Sequence, residues 1–312
     1  MALRKLRVVR YDEVRDPYEF LTLMSQGFGW HAHARRVARI RRADARYRDP
    51  YGFFALDGKA VAGFAGTIDL PVRTLDRGLE RAGGLFCVAT RPDYARRGVA
   101  RTLVRHAHRH FRERGYRFSF LYTSRSLVAY SLYRQLGYDD VPESAEAAAR
   151  WVRIFRPGRP APRRPAKPAP ADVRRAERLF RETTRDWTGF VARPSNWLSV
   201  RWKSGSGNPE ELLVDAEGYA LTGQGWDSTF LFEVVARNQD AYRRIIDRAR
   251  RLGRPNVVGI RAYDPVLREL YRELGFRPQL AAYGRLMVLP LSPTRFAAAF
   301  GDRFRHSPAD AF

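Results

Sequence analysis

Residues 88–101 read VATRPDYARRGVAR, and what flanks them decides how they are read. The run 84–90 before them is apolar, as in a buried strand. After them Val99, Leu103, Ala107 and Phe111 recur at helical spacing, with Val104 beside the stripe and Gly115 as a C-terminal cap. A strand therefore runs into a glycine-containing loop that opens an amphipathic helix. The backbone N–H groups of residues 96–101 then stand at a helix N-terminus, where free donors and the helix dipole favour an anion such as phosphate. Gly98 lets such a group approach the main chain, and Ala100 keeps the first turn open. Arg96, Arg97 and Arg101 add charge-assisted donors.

Around this unit the first half of the chain reads as β-α-α-β-β-β-α-β-α-β. Strands are expected at 6–11, 51–56, 60–70, 84–90, 118–122 and 151–155, with a tight turn at Asp57-Gly58 joining the second and third. Helices are expected at 18–24, 34–45, 99–114 and 127–136, the last ended by Gly137. The second half repeats this grammar. Gly115 and Gly253, Tyr133 and Tyr271, Gly137 and Gly275, and Tyr138 and Phe276 are each 138 residues apart. The strings YSLYRQLGY and RELYRELGF carry the match, and LLVDAEGYALTG echoes FFALDGKAVAGF. These spacings read as an internal duplication of one fold. The copy is incomplete. From Val88 to Tyr133 is 45 residues and from Val235 to Tyr271 is 36, and the missing stretch falls in VVARNQDAYRRII, which has no glycine. The second half therefore lacks a phosphate cradle, and Tyr271 reads as structural.

Length and composition agree with two domains. The chain has 312 residues, 45% hydrophobic and 13% aromatic, enough for two cores and too apolar for a disordered protein. The boundary is 157–172, PGRPAPRRPAKPAPAD, which reads as an extended polyproline-like linker. The expected division is 1–156, linker 157–172, 173–292 and a tail 293–312. No window offers 18 uninterrupted apolar residues, and the N-terminus turns charged before an apolar stretch develops, so neither a transmembrane helix nor a secretory signal is expected. A single cysteine, Cys87, excludes an internal disulfide and a cysteine-based zinc site, and fits a reducing cytoplasm.

Net charge is +24. Only Lys5, Lys59, Lys167 and Lys203 are lysine among 57 basic residues, and arginines occur in nearly every segment. That spread is a property of the whole surface rather than of one binding face, although it would speed the approach of a polyanion. His106, His108 and His110 have no nearby cysteine or carboxylate to complete a metal site and read as a solvated helix face, so no metal is expected. His31 and His33 read as surface residues ahead of the second helix. Cys87 reads as a small buried thiol.

Residues 95–100, Ala-Arg-Arg-Gly-Val-Ala, and the register Ser126, Ala129, Tyr133, Gly137, Tyr138 resemble the GNAT (GCN5-related N-acetyltransferase) superfamily. Its loop is Gln/Arg-x-x-Gly-x-Gly/Ala, and its downstream signature is Asn-x-x-Ala-x-x-x-Tyr-x-x-x-Gly-Phe. Ala95 and Ser126 depart from it. The resemblance covers about residues 6–155. It implies an α/β (α+β) architecture of two tandem GNAT-like domains, each a mixed, mostly antiparallel central sheet flanked by helices, the first catalytic and the second degenerate. Within tandem-GNAT proteins, GLFCVATRPDYARRGVARTLV and LYTSRSLVAYSLYRQLGY are similar to the enhanced-intracellular-survival (Eis) type. That type carries a further sterol-carrier-like domain with no room after Pro293, so its aminoglycoside acceptors are not carried over.

What the resemblance implies is acetyl-CoA as acyl donor and a small-molecule or peptide amine as acceptor. Val88 and Thr90 would pair with the pantetheine arm. Arg96, Arg97, Gly98, Val99, Ala100 and Arg101 would hold the pyrophosphate, and Ser126 would stand where the family contacts the cofactor. Tyr133 would be the general acid that protonates the leaving thiolate. Asp69 and Glu80 are candidates for the base, since Leu85, Phe86 and Cys87 on the strand itself are not acids; water is a third. Two further readings stay open. One is a CoA-binding sensor or scaffold, favoured by Ala95 and Ser126 and opposed by Tyr133. The other is a nucleic-acid-binding module using the basic linker, opposed by its lack of interleaved aromatics. The sequence carries no signal for oligomeric state.

Overall fold

The computed structural model of the chain describes residues 6–14, 17–31, 33–47, 49–155, 167–225, 227–280 and 284–310. The chain order begins β1 (Arg7–Arg10), α1 (Pro17–Phe28), α2 (Ala34–Ala43), β2 (Gly52–Asp57), β3 (Ala60–Thr74), β4 (Gly78–Thr90), α3 (Val99–Glu113), β5 (Phe118–Thr123) and α4 (Val128–Gln135). It continues β6 (Asp139–Asp140), α5 (Ala145–Ala148), β7 (Arg150–Ile154), α6 (Pro170–Thr183), β8 (Thr188–Gly189), α7 (Trp197–Ser204), β9 (Leu212–Val214), β10 (Gly218–Gln224) and β11 (Ser228–Ala236). Last come α8 (Gln239–Arg250), β12 (Asn256–Ile260), α9 (Pro265–Glu273), β13 (Arg277–Gln279), β14 (Arg285–Pro290), α10 (Phe296–Phe300) and β15 (Phe304–Arg305). The residues form two compact units, Met1–Val141 with Tyr283–Ala299, and Pro142–Ala282 with Phe300–Ala311.

In the first unit the strands lie in the order β1-β2-β3-β4-β5-β14-β6. All neighbours are antiparallel except β4 and β5, which run parallel. Alternation along the strands gives each face its own core. Phe53, Ala55, Ala65, Leu85, Leu121 and Met287 pack with Val99, Leu103, Ala107 and Phe111 of α3 and with Tyr133 of α4. On the other face Phe54, Phe64 and Phe86 pack with Phe20 of α1, the Phe20 and Phe64 rings 4.8 Å apart. Helix α3 forms because its apolar stripe finds this sheet, and it stops at Gly115, whose φ of +73° only glycine adopts freely.

The second unit repeats the pattern in the order β13-β7-β12-β11-β10-β9, again with one parallel pair, β11 and β12. Its main core joins Trp151, Ile245, Val257, Leu270 and Tyr271.

Two expectations need correction. The strand at 151–155, expected to close the first domain, is β7, and it lies in the second unit between β12 and β13. Its place beside β5 is taken by β14, which pairs with β5 over six residues, from Arg285 with Thr123 to Pro290 with Phe118. The divisions at 156 and 293 are displaced accordingly. The cause is burial: Trp151 is fully enclosed, its ring stacked 5.7 Å from that of Tyr271. The second correction concerns the linker. Residues 156–166 lie outside the described residues, but Pro170 opens α6 from inside the expected linker. Proline is tolerated in the first turn of a helix, where its missing N–H has no partner to lose. Among the described residues no helix is long and apolar enough to cross a membrane.

Candidate active site

Strand β4 makes the site. It pairs with β5 only through Gly83 with Ser119, Gly84 with Phe120 and Leu85 with Leu121. Beyond Leu85 the two strands part, and β4 continues to Thr90 against β3 alone. The parting coincides with a bulge. Phe64 pairs with Ala89 and Gly66 with Phe86, so two residues of β4, Cys87 and Val88, face one of β3. Cys87 sits at φ +48°, an uncommon conformation for a side-chain-bearing residue. A bulge re-aims the main chain, and this one falls just past the point where β4 parts from β5. Within an otherwise buried stretch Cys87, Val88 and Thr90 are only half-buried. The Thr90 hydroxyl oxygen is buried with no hydrogen-bond partner among the described residues, an acceptor and donor held for something else.

From Thr90 the chain passes through a turn of 3-10 helix at Pro92–Tyr94 and enters α3 at Gly98. Gly98 has φ +80°, and a Cβ there would meet nothing within 4 Å. Glycine is thus required for its backbone angle, and open space lies beside it. The first helical bond is Thr102 N–H to Gly98 C=O, 2.9 Å, so the N–H groups of Val99, Ala100 and Arg101 precede any helical acceptor. Gly98 brings no side chain to cap them. Arg96 and Arg97 are exposed, and neither lies within ion-pair distance of a carboxylate among the described residues. Arg97 stacks over the Tyr94 ring at 5.6 Å. Arg101 turns instead to α4, donating to Gln135 Oε1 at 2.6 Å. Val88, Tyr94, Val99 and Tyr133 belong to one packed cluster, which brings the V, the loop and α4 together.

Tyr133 is 6% exposed and packs in this cluster, its ring edge to face with that of Tyr138. Burial raises its pKa above the usual 10, with Cys87 adding to the rise. Burial also pushes the Cys87 thiol up to about 12, so it stays protonated. Ser126 is exposed in the turn before α4, its hydroxyl 2.9 Å from that of Ser124.

The two candidate bases are elsewhere. Asp69 pairs across the hairpin with Gly83, and its carboxylate takes Arg114 at 3.0 Å and Arg81 at 3.4 Å. Glu80 pairs with Val72 and is held by Arg117 at 3.0 Å, which also grips Asp76 at 2.8 Å. Eight residues of extended strand separate Glu80 from Val88, roughly 25 Å at about 3.3 Å per residue. The structure does not bring either carboxylate to Tyr133.

The histidines need a correction too. His106 and His110 set their rings edge-on to Phe53, at 4.5 and 5.6 Å. His108 is not on a solvated face: it is buried, and its Nε2 lies 2.9 Å from the Tyr138 hydroxyl. His33 caps α2 by accepting from Arg36 N–H at 3.2 Å. Among the described residues no three His, Cys, Asp or Glu side chains gather as metal ligands.

The second unit shows what the site is not. Strand β11 also bulges, at Phe232, and also parts from β12 beyond Leu231 and Gly259. But α8 follows β11 at once, and the Asn238 side chain caps it, accepting from Ala241 N–H at 2.9 Å. Tyr271 is fully buried, and its hydroxyl fills the space that Gly259 leaves open.

Residues 8–141 match the family model of an acetyltransferase (GNAT) domain. No curated protein matches the sequence. Among solved structures, the chain resembles a GCN5-related N-acetyltransferase from Kribbella flavida, with 20% identity, 91% of this chain and 70% of that chain covered, and TM-score 0.63. It resembles Eis1 from Mycobacterium abscessus at 15% identity over 91% and 73% of the two chains, TM-score 0.57. A putative acetyltransferase from Pyrococcus horikoshii matches at 13% identity over 98% and 96%, TM-score 0.55. At these identities the likeness is one of fold.

Proposed function

We propose, from the match of residues 8–141 to the family model of an acetyltransferase (GNAT) domain, that the first unit is an acyl-CoA-dependent N-acetyltransferase, moving an acetyl group from acetyl-CoA to a primary amine by direct attack in a ternary complex. The observation that carries the reading is the V between β4 and β5 opening beside an uncapped helix N-terminus, with Tyr133 in the same packed cluster. The orphaned Thr90 hydroxyl and the open space at Gly98 fit a ligand that pairs with the strand and ends in phosphates.

Acetyl-CoA supplies a thioester already activated toward amines. The residues of this chain do the rest. First-turn N–H groups of Val99, Ala100 and Arg101, with Arg96 and Arg97, hold the diphosphate. The β4 main chain at Val88 and Thr90 receives the pantetheine arm, and Ser126 borders it from the turn before α4. The Val88 N–H, at the bulge, stabilises negative charge on the carbonyl oxygen. Tyr133 keeps its proton at working pH because burial raises its pKa, and its hydroxyl gives that proton to the departing sulfur. With Asp69 and Glu80 engaged by arginines, the attacking amine loses its proton through water.

The test is thiol release from acetyl-CoA with a panel of small amines and amino-terminal peptides, alongside calorimetry. One site per chain is expected. Tyr133→Phe should lower kcat by about 100- to 10,000-fold with little change in KM for acetyl-CoA. Two equivalent sites, or wild-type turnover in Tyr133→Phe, would refute the assignment.

A further inference from the structure

Three buried polar side chains meet beneath the V. The Tyr138 hydroxyl lies 2.6 Å from Ser119 Oγ and 2.9 Å from His108 Nε2. Tyr138 and Ser119 are 0% exposed and His108 4%. Burial lowers the His108 pKa to about 4, so the imidazole is neutral and the chain of bonds carries no charge at working pH. The tyrosine hydroxyl donates to one neighbour and accepts from the other, which satisfies it in either direction.

Each partner comes from a different part of the site. His108 is on α3, whose N-terminus is the candidate phosphate cradle. Ser119 is on β5, paired with Gly83 at the foot of the V. Tyr138 follows α4, its N–H bonded to the Tyr133 carbonyl at 3.0 Å. Its ring meets that of Tyr133 edge to face, with centroids 5.9 Å apart and planes at 66°.

The fold does not require this triad, and the chain itself supplies the comparison. At the 138-residue offset the counterparts of His108, Ser119 and Tyr138 are Ile246, Val257 and Phe276. All three are apolar, buried and part of one core. There the tyrosine that matches Tyr133 is posed differently: the Tyr271 and Phe276 rings lie 4.6 Å apart at 37°, and the Tyr271 hydroxyl is sealed in. Apolar side chains thus fill the same three positions in the unit that lacks the cradle, and they avoid the cost of desolvating three polar groups.

We infer that the His108–Tyr138–Ser119 triad is a positioning device for the proposed acid: it fixes the tilt of the Tyr138 ring, and through it the pose of the Tyr133 hydroxyl toward the V. The inference rests on the role given to Tyr133 above. None of the three is a catalytic residue; they act through Tyr133 and through the relation of α3, β5 and α4. A displaced acid loses rate even when the binding groups are intact, because proton transfer depends steeply on geometry.

The test installs the second unit's set in the first. The triple variant His108→Ile, Ser119→Val, Tyr138→Phe leaves no polar partner stranded, and Tyr138→Phe alone is its companion. Both should fold, and the triple variant should melt no lower than wild type. Both should lose about 10- to 100-fold in kcat while KM for acetyl-CoA stays within about twofold, a split that general loosening of the fold would not give. In a Tyr133→Phe background the triple change should add nothing further to the loss. If Tyr133→Phe lowers kcat but both triad variants keep wild-type kcat, the inference is wrong and the acid assignment stands. If Tyr133→Phe itself keeps wild-type turnover, the acid assignment falls first. If neither triad variant folds, the triad belongs to the fold, which also overturns the inference.

Discussion

Tyr271→Phe should stabilise the protein and leave its activity alone. The Tyr271 side chain is 0% exposed, and its hydroxyl has no hydrogen-bond partner among the described residues. The oxygen fills the place where residue 259 has no side chain: a Cβ on Gly259 would lie 2.4 Å from it. The ring stacks on Trp151 at 5.7 Å and lies 4.6 Å from Phe276. Removing the oxygen keeps those ring contacts. It recovers the penalty of burying an unpaired hydroxyl, about 1–3 kcal/mol. It loses a few atom contacts of about 0.1–0.2 kcal/mol each, and leaves a void smaller than a methyl group. The net gain is about 1 kcal/mol, and at about 2–4 °C per kcal/mol for a unit of this size the melting midpoint should rise by a few degrees. Thermal denaturation reads the stability, and thiol release from acetyl-CoA reads kcat. A fall of more than about 1 kcal/mol would mean that the hydroxyl has a partner, such as a bound water, and that the cost of burial was misjudged. Loss of turnover would mean that the active unit was misassigned.

Other consequences can be measured in the same way. Gly98→Ala forces a Cβ into a left-handed backbone at a cost of about 1–2 kcal/mol, so the midpoint should drop and acetyl-CoA affinity should weaken while the aromatic packing stays native. Asp69→Asn and Glu80→Gln should keep kcat within a factor of about two and lose stability instead, since each carboxylate holds an arginine; a rate loss of 100-fold or more in either would restore it as the base. Stability should fall with acid. Burial lowers both His108 and His306 from 6.5 to about 4, so between those values the unfolded chain binds protons that the native chain refuses. Each contribution is complete above pH 6.5 and is lost as pH falls toward 4, with a slope of up to about 1.4 kcal/mol per pH unit for each group. His108→Ile should flatten that limb, and denaturation midpoints unchanged from pH 7 to pH 5 would contradict both shifts.

How much of this was legible in the sequence depends on the kind of information a residue carries. The strand–loop–helix at 88–101 is local: an apolar run, a glycine at positive φ and an amphipathic stripe sit next to one another in the chain, and the structure places them so. The 138-residue offset is also visible, because Gly115, Gly137, Gly253 and Gly275 all take positive φ at helix ends. The exchange of β7 and β14 is not visible. Both are short apolar strands, and local pattern does not say which sheet edge a strand will meet. The partners of Asp69 and Glu80 were hidden for the same reason: Arg114 and Arg117 lie far along the chain. His108 could have been found. It falls between Val104 and Phe111 on the buried stripe of α3, one helical turn from each, and a polar residue there needs a buried partner. The reading of three alternate histidines as one solvated face overlooked that α3 turns the middle one inward.

Sharing a fold does not make the second unit a second site, because its helix end is capped and its parted strands carry a buried charge network. The bulge and the parted strands are present in both units, so sheet geometry alone does not make a donor site. At the helix end, α8 follows β11 with only Arg237 and Asn238 between, and Asn238 supplies the cap that Gly98 withholds. At the parted strands, the chain's own residues 305–308 line the cleft beside Phe232, Glu233 and Ile260. Ser307 Oγ donates to the Phe232 carbonyl at the bulge, 3.4 Å, and Asp310 accepts from Arg193 Nε at 2.8 Å. Arg193 is clasped between the Phe180 and Trp197 rings, 3.8 Å from each, and its remaining nitrogens bond both oxygens of Glu233, the residue after the bulge. Glu233 also takes the Tyr219 hydroxyl at 2.7 Å. A buried charge network of this kind is costly to break from one side, because each partner left behind is an unpaired charge. Lengthening the β11–α8 connection to match residues 91–98 would therefore restore a loop but leave that network in place. What distinguishes the first unit is its helix end, where among the described residues no side chain caps the first-turn N–H groups of α3.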